Sequence, residues 1–179
     1  MPDRDTLVAL LRDSAAAFTA SFRDLSRSRF HFQPAPEKWS IAQTAEHVIV
    51  AEIGSGKLLR GRLSREAAPE DVLATTEDAD RRIDARLLVR DRVFQAPDFV
   101  MPTGRWQTPA DMVLAFEESR VGTIEFLRST PLDLTRYAAP HPAFGPLNGL
   151  QWAYFLVRHC LRHVDQIEEV KAAPGYPRG

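Results

Sequence analysis

The chain has 179 residues, with 23 Lys and Arg against 24 Asp and Glu and a formal net charge of −1. That length supports one hydrophobic core, and near-neutral charge with scattered basic residues removes the electrostatic case for nucleic acid or an anionic membrane surface. The only cysteine, Cys160, excludes an internal disulfide and a cysteine-rich zinc site, and no apolar run approaches the roughly 20 residues of a membrane span.

The amino terminus, Met1-Pro2-Asp3-Arg4-Asp5, lacks the basic and then apolar regions of a secretory leader, so a cytoplasmic protein of one domain, residues 1–179, is expected. From residue 5 to about residue 27, apolar side chains fall at Leu7, Leu10, Leu11, Phe18, Phe22 and Leu25, the spacing of an amphipathic helix. The next run carries Pro34 and Pro36, which block a helix and hold the preceding residues extended, so it reads as a connecting loop. Ser40-Ile41-Ala42-Gln43 has the form of a capping box, which starts a second helix running through His47 to about residue 59. Thr44, Ala51, Gly54 and Leu58 lie within about 60° of His47 on that helix. A glycine inside a helix costs on the order of 1 kcal/mol against alanine, so Gly54 either leaves space beside His47 or, with Gly56, softens the helix end.

Residues 61–107 carry a weaker signal: a polar stretch around Pro69, a helix expected over residues 77–93 and the proline-interrupted run from Ala96 to Pro102. Together they read as a crossover between helices two and three. Thr108-Pro109-Ala110-Asp111 combines a cap, a proline at the first helical position and an acid in the first turn. Helix three follows to about residue 128, with Met112, Val113, Phe116, Ile124 and Leu127 inward. Residues 131–146 are rich in proline and read as a loop. Asn148 can cap a fourth helix, about residues 149–171.

On helix four, with His159 at zero angle, Trp152, Leu156, His163, Gln166 and Val170 fall within about 60°. Ala153, Val157, Cys160, Val164 and Ile167 fill the adjoining sector, and Arg158, Arg162, Asp165 and Glu169 the opposite flank. The histidines therefore occupy an apolar stripe beside the core-facing side. Four long helices, a crossover and no alternating strand pattern predict an all-α four-helix bundle, where sites are built from side chains projecting inward from facing helices.

His159 and His163 stand about 40° and 6 Å apart on a helix, so both imidazoles can reach one ion. A pair holds a metal poorly, and His47 is the candidate third ligand if its helix faces helix four. Three imidazoles with a fourth position open is the arrangement of catalytic metal sites. The HxxxH spacing alone fits solvated or hydrogen-bonded histidines better than a metal pair. Gln166, on the same stripe, is either a hydrogen-bond partner of a ligand histidine or simple packing. Glu46, about 100° from His47, reads as a surface or partner-facing charge. His141 reads as a loop-fixing histidine, with a cover over the site mouth as the alternative. His31 reads as a loop residue and Cys160 as a small core side chain. Trp39, Trp106 and Trp152 read as wedges between loops and helices, against Trp106 or Trp152 lining a pocket. Arg158 and Arg162 form either a solvated flank or an attraction for an anionic substrate.

Four runs carry a likeness beyond spacing: PAPEKWSIAQTAEHV at 34–48, PTGRW at 102–106, HPAFGPL at 141–147 and HCLRHVDQI at 159–167. Together they closely resemble the DinB-like superfamily, which includes the YfiT-type proteins, over nearly the whole chain and least between residues 61 and 100. The resemblance implies a four-helix bundle, often dimeric, with a divalent metal on one histidine of the second helix and two of the fourth, matching His47, His159 and His163. Zinc or nickel is the expected ion, and iron or manganese also suits three imidazoles in some degree. The resemblance further implies a small-molecule substrate and points to a thiol S-transferase-like reaction with a low-molecular-weight thiol. The alternatives are a metal-dependent hydrolase and a non-catalytic metal- or ligand-binding bundle. A homodimer with no nucleic-acid or membrane partner is expected.

Overall fold

The computed structural model describes residues 1–63, 65–89 and 95–178. In them the chain forms α1 (Arg4–Ala20), α2 (Arg27–Phe30), α3 (Ile41–Lys57), α4 (Glu70–Ala74), α5 (Ala79–Leu87), α6 (Pro109–Ser129), strands β1 (Ala138–His141) and β2 (Gly145–Asn148), and α7 (Gly149–Ala172). The helix starts read from the sequence are made by the groups expected. The Gln43 amide donates to Ser40 Oγ (3.2 Å) and the Ser40 amide to Gln43 Oε1 (2.9 Å), closing the capping box of α3. Asn148 and Gln151 form a second such box at α7, and Thr108 accepts from the Asp111 amide ahead of α6. Caps of this kind stabilise a helix by about 1 kcal/mol each.

The long helices do not all neighbour one another in chain order. α1 packs on α6 and α7, and α3 also packs on α6 and α7. The consecutive helices α1 and α3 therefore share one diagonal of the bundle, and α6 and α7 the other. In a simple up-and-down bundle, short loops make sequence neighbours spatial neighbours. Here the segment between α1 and α3 crosses the diagonal instead, and α3 comes to face α7.

Two apolar clusters fill the interior. One gathers Leu7, Leu11, Leu59, Ile83, Leu127 and Leu156. The other gathers Phe18, Phe22, Ile49, Met112, Phe116 and Ile167. Between them lies a polar layer contributed by the four long helices. Arg120 of α6 makes a two-pronged pair with Glu52 of α3, Nε to Oε1 at 2.7 Å and Nη2 to Oε2 at 2.9 Å. Its Nη1 donates to Leu11 O (2.7 Å) and Ser14 Oγ (2.9 Å) of α1, and Cys160 Sγ of α7 donates to Ser14 O (3.4 Å). Cys160 is thus the small core residue expected, and burial pushes its thiol up to about 12.

Several expectations change. α1 ends at Ala20 rather than near residue 27, because the chain turns there to bury Phe22 against Phe18 and Phe30, at 5.1 and 5.9 Å between rings. The helix expected over residues 77–93 forms as Ala79–Leu87, and residues 90–93 of that expectation lie outside the described residues. α4 was not anticipated, although Glu70 and Asp71 place two acids in its first turn directly after Pro69, a start signal. The segment expected to be only a loop holds a hairpin, pairing Ala138 with Asn148, Ala139 with Leu147 and Pro140 with Pro146. Its three-residue loop has Pro142 at the second turn position, a Phe144 amide donating to His141 O (3.3 Å), and Gly145 at φ 72°. This is a type I turn followed by a left-handed residue. The prolines that argue against strands are tolerated because, among the described residues, the sheet has only these two edge strands.

Candidate metal centre

α3 delivers two adjacent functional side chains. His47 is 6% exposed, and its Nδ1 lies 3.0 Å from the Val100 carbonyl in a 3-10 turn, Asp98–Val100, of the crossover. A carbonyl only accepts, so Nδ1 carries the ring hydrogen and Nε2 keeps its lone pair. Glu46 overturns its expected role as a surface charge: it is 2% exposed. Its Oε1 accepts from the amides of Thr103 (2.9 Å) and Arg105 (3.1 Å) and from Thr103 Oγ1 (3.3 Å), and its Oε2 from the Gly104 amide (2.8 Å). Gly104 at φ 80° lets three successive amides turn toward one carboxylate. A buried carboxylate persists only when hydrogen-bonded in this way. Neighbouring side chains of α3 thus fasten the crossover at two points, and one of those fixes the tautomer of His47. The small residues Ala42 and Ala45 beside Glu46 were the available sequence signal that this face is covered.

α7 delivers the other two imidazoles. His159 Nε2 lies 3.1 Å from His47 Nε2 and 3.2 Å from His163 Nε2. His163 Nδ1 lies 2.8 Å from Gln166 Oε1, so this ring also points its hydrogen outward and its lone pair inward. Gln166 therefore touches a site histidine directly. The His47 and His163 Nε2 atoms are both acceptors, and His159 Nε2 can carry at most one hydrogen between them. At least one lone pair then faces another, an arrangement that a cation relieves. Nitrogens about 2.1 Å from one ion stand about 3.0–3.4 Å apart in octahedral or tetrahedral geometry, which matches the spacing found. The residues present fit a divalent ion. Among the described residues, no Asp, Glu or Cys joins the three histidines.

Electrostatics prepare the same state. Burial holds His47 below the usual imidazole range, with the Val100 carbonyl acting the other way. Burial also takes His159 well below it, helped by the neighbouring His163, His47, His141 and Arg162. Neutral imidazole is the form a metal ligand requires.

The histidines line a cavity of about 1190 Å³. The Trp39 ring stands 5.1 Å from His47 on one side, and the Phe155 ring 5.1 Å from His159 on the other. Trp152 also lines the cavity while its Nε1 donates to Ala139 O (3.3 Å), so it wedges α7 against the hairpin as well. Trp106 packs on the core instead. Gly54 lines the cavity, and a Cβ there would meet nothing within 4 Å, so the space beside it does not depend on a glycine. His141 does fix its loop, its Nδ1 accepting from the Ala143 amide (3.1 Å), and it also lines the cavity. The arginine flank is not simply solvated. Arg158 pairs with Asp84 (2.8 Å) and donates to the Tyr154 hydroxyl (2.8 Å), and Arg162 donates to the carbonyls of Leu87 (3.2 Å) and Val89 (2.8 Å). Both fasten the α5 region onto α7. No helix among the described residues is long and apolar enough to cross a membrane.

Fold and site together define a four-helix-bundle protein with a largely buried three-histidine cluster opening on a mostly apolar cavity. The sequence profile of the DinB superfamily matches residues 10–167, and the chain belongs to that superfamily. It is 24% identical over 149 residues to the uncharacterized protein YuaE of Bacillus subtilis (strain 168), covering 83% of this chain and 87% of YuaE. Among solved structures it is similar in fold to YfiT from Bacillus subtilis, described as a probable metal-dependent hydrolase with an unusual four-helix bundle topology. The TM-score is 0.66 at 14% identity, covering 97% of this chain and 89% of YfiT.

Proposed function

We propose that the protein is a divalent-metal-dependent enzyme in which His47, His159 and His163 hold the ion, Gln166 orients His163, and a small thiol is transferred to an apolar electrophile. The observation that carries this reading is the convergence of three Nε2 atoms at 3.1 and 3.2 Å on the wall of the cavity, two of them with the outer nitrogen fixed by an acceptor. A divalent ion held there supplies Lewis acidity, which lowers the pKa of a thiol or water in the position the protein leaves open. The chain's own residues do the rest. The mostly apolar cavity walls favour an apolar partner, and the fixed tautomers of His47 and His163 keep those imidazoles aimed inward without reorganisation. With no carboxylate in the cluster among the described residues to take a proton, a nucleophile that gives up its proton readily, such as a thiol of pKa about 8.5, suits the cluster better than water, although Glu37 and Glu169 line the wider cavity.

The description of YfiT supports a second reading, hydrolysis at the same site. Elemental analysis of protein purified without an affinity tag, wild type beside His159→Ala, tests the centre itself. Metal is expected in the wild type and lost in the variant, and equal content in the two would remove the basis of the site. A panel of low-molecular-weight thiols offered with an aromatic electrophile then separates the chemistries. Thioether formation is expected; no thioether with any thiol, alongside turnover of an ester, moves the reading to hydrolysis.

A further inference from the structure

His141 belongs to neither α3 nor α7, yet it lines the same cavity as the three histidines. Its ring is held on three sides, with centroids 4.4 Å from Phe155, 4.8 Å from Phe144 and 5.0 Å from Trp152. Its Nδ1 accepts from the Ala143 amide at 3.1 Å. An amide can only donate, so in the neutral ring the hydrogen sits on Nε2. The neutral ring is the form present near pH 7, because burial and then the charge of Arg86 push His141 down to about 4. Among the described residues no acceptor engages that Nε2–H, and it is not sealed away from the cavity either. One phenyl ring separates it from the metal-binding candidates, since Phe155 lies 4.4 Å from His141 and 5.1 Å from His159. The result is a donor of fixed tautomer and fixed orientation, in an aromatic pocket, a short span from the three Nε2 atoms.

We propose that the Nε2–H of His141 is the hydrogen-bond donor that binds and orients the electrophilic substrate, taking a carbonyl-type oxygen on an otherwise flat and apolar molecule. This rests on the cavity being the substrate site of the reaction proposed above. An Nε2–H of fixed tautomer can donate to a carbonyl-type oxygen, and the Phe144, Trp152 and Phe155 rings around it suit a flat apolar body. A donor facing the cavity also discriminates once a ligand covers it: a ligand lacking the oxygen shuts out water and leaves the donor unsatisfied, which costs more than a made hydrogen bond gains. In an α,β-unsaturated ketone the electrophilic carbon lies three bonds from the oxygen, a layout that puts the two ends toward His141 and the histidine cluster.

The test uses benzylideneacetone and its hydrocarbon analogue, in which methylene replaces the carbonyl oxygen, with binding read by quenching of tryptophan fluorescence in the protein as purified. Wild type should prefer the ketone. His141→Phe keeps a ring of similar size and should weaken ketone binding about five- to tenfold while leaving the hydrocarbon unchanged. His141→Gln carries an amide donor at the reach of Nε2 and should restore the preference, which a merely structural loss would not allow. An unchanged ketone preference in His141→Phe, an equal loss for both probes, or no recovery in His141→Gln overturns the proposal. The measurement needs neither thiol nor turnover. Its failure therefore leaves the metal centre standing, and equal metal content in wild type and His159→Ala leaves this preference untouched.

Discussion

The Glu52–Arg120 cluster and the histidine cluster both lie inside this bundle, and they are wired in opposite ways. At the Glu52–Arg120 centre both guanidinium prongs meet carboxylate oxygens, and the remaining Nη1 reaches Leu11 O and Ser14 Oγ. Donors face acceptors throughout, and the four long helices are held in one layer. At the histidine centre the outer nitrogens of His47 and His163 meet Val100 O and Gln166 Oε1, but the inner nitrogens face each other at 3.1 and 3.2 Å. Burial and polarity do not distinguish the two. The unmatched inward face, opening on a cavity, marks the second as a place for a ligand, whereas the first is finished without one.

The largest expected effect strikes the closed centre. Arg120→Ala strands the Glu52 carboxylate in the core and should cost about 3–5 kcal/mol in denaturant unfolding, with the metal content of the folded fraction unchanged. A loss below about 1 kcal/mol would show that the pair is not sealed as described.

Acid should strike the other centre. The folded chain holds His47, His159 and His141 below the usual imidazole range, His141 at about 4, while the unfolded chain titrates them near 6.5. Above that value both states are neutral and stability is unaffected. As pH falls from about 6.5 to about 4 the unfolded state takes up protons first, so stability is lost across that window, at most about 3 kcal/mol for His141. Unfolding curves at stepped pH should show this slope, and His141→Phe should flatten part of it. Arg120→Ala should not change it, since no histidine belongs to that layer.

The smallest of these effects concerns Gln166. Gln166→Leu removes the acceptor of His163 Nδ1 and should lower metal affinity about 10–100-fold, read by competition with a chelating dye, while the denaturant midpoint moves little. A shift in stability as large as that of Arg120→Ala would mean that Gln166 supports the bundle rather than the histidine.

Much of the fold was legible because its signals are local. The Ser40–Gln43 box, the Thr108-Pro109 start and the Asn148 cap each act within four residues, and the structure forms all three. The hairpin was illegible for a related reason. Pro140, Pro142 and Pro146 are breakers by local rules, and they are harmless because, among the described residues, no further strand flanks the pair. Glu46 misled because its angle on α3 points away from His47, and nothing in the spacing says that the 103–105 loop folds over that face.

The sequence by itself determined that His159, His163 and Gln166 share one stripe of one helix, since 3.6 residues per turn fixes that without any partner. It also determined that Cys160 lies off that stripe, toward the core. Only the tertiary structure decided that His47 meets them. That meeting depends on α1 and α3 taking one diagonal of the bundle and α6 and α7 the other, so that α3 faces α7. The same packing brought in Val100, Glu46 and His141 from segments whose place is set by what covers them. Hydrogen-bond periodicity is a property of a few consecutive residues, whereas the approach of two helices is settled by which faces the whole core buries.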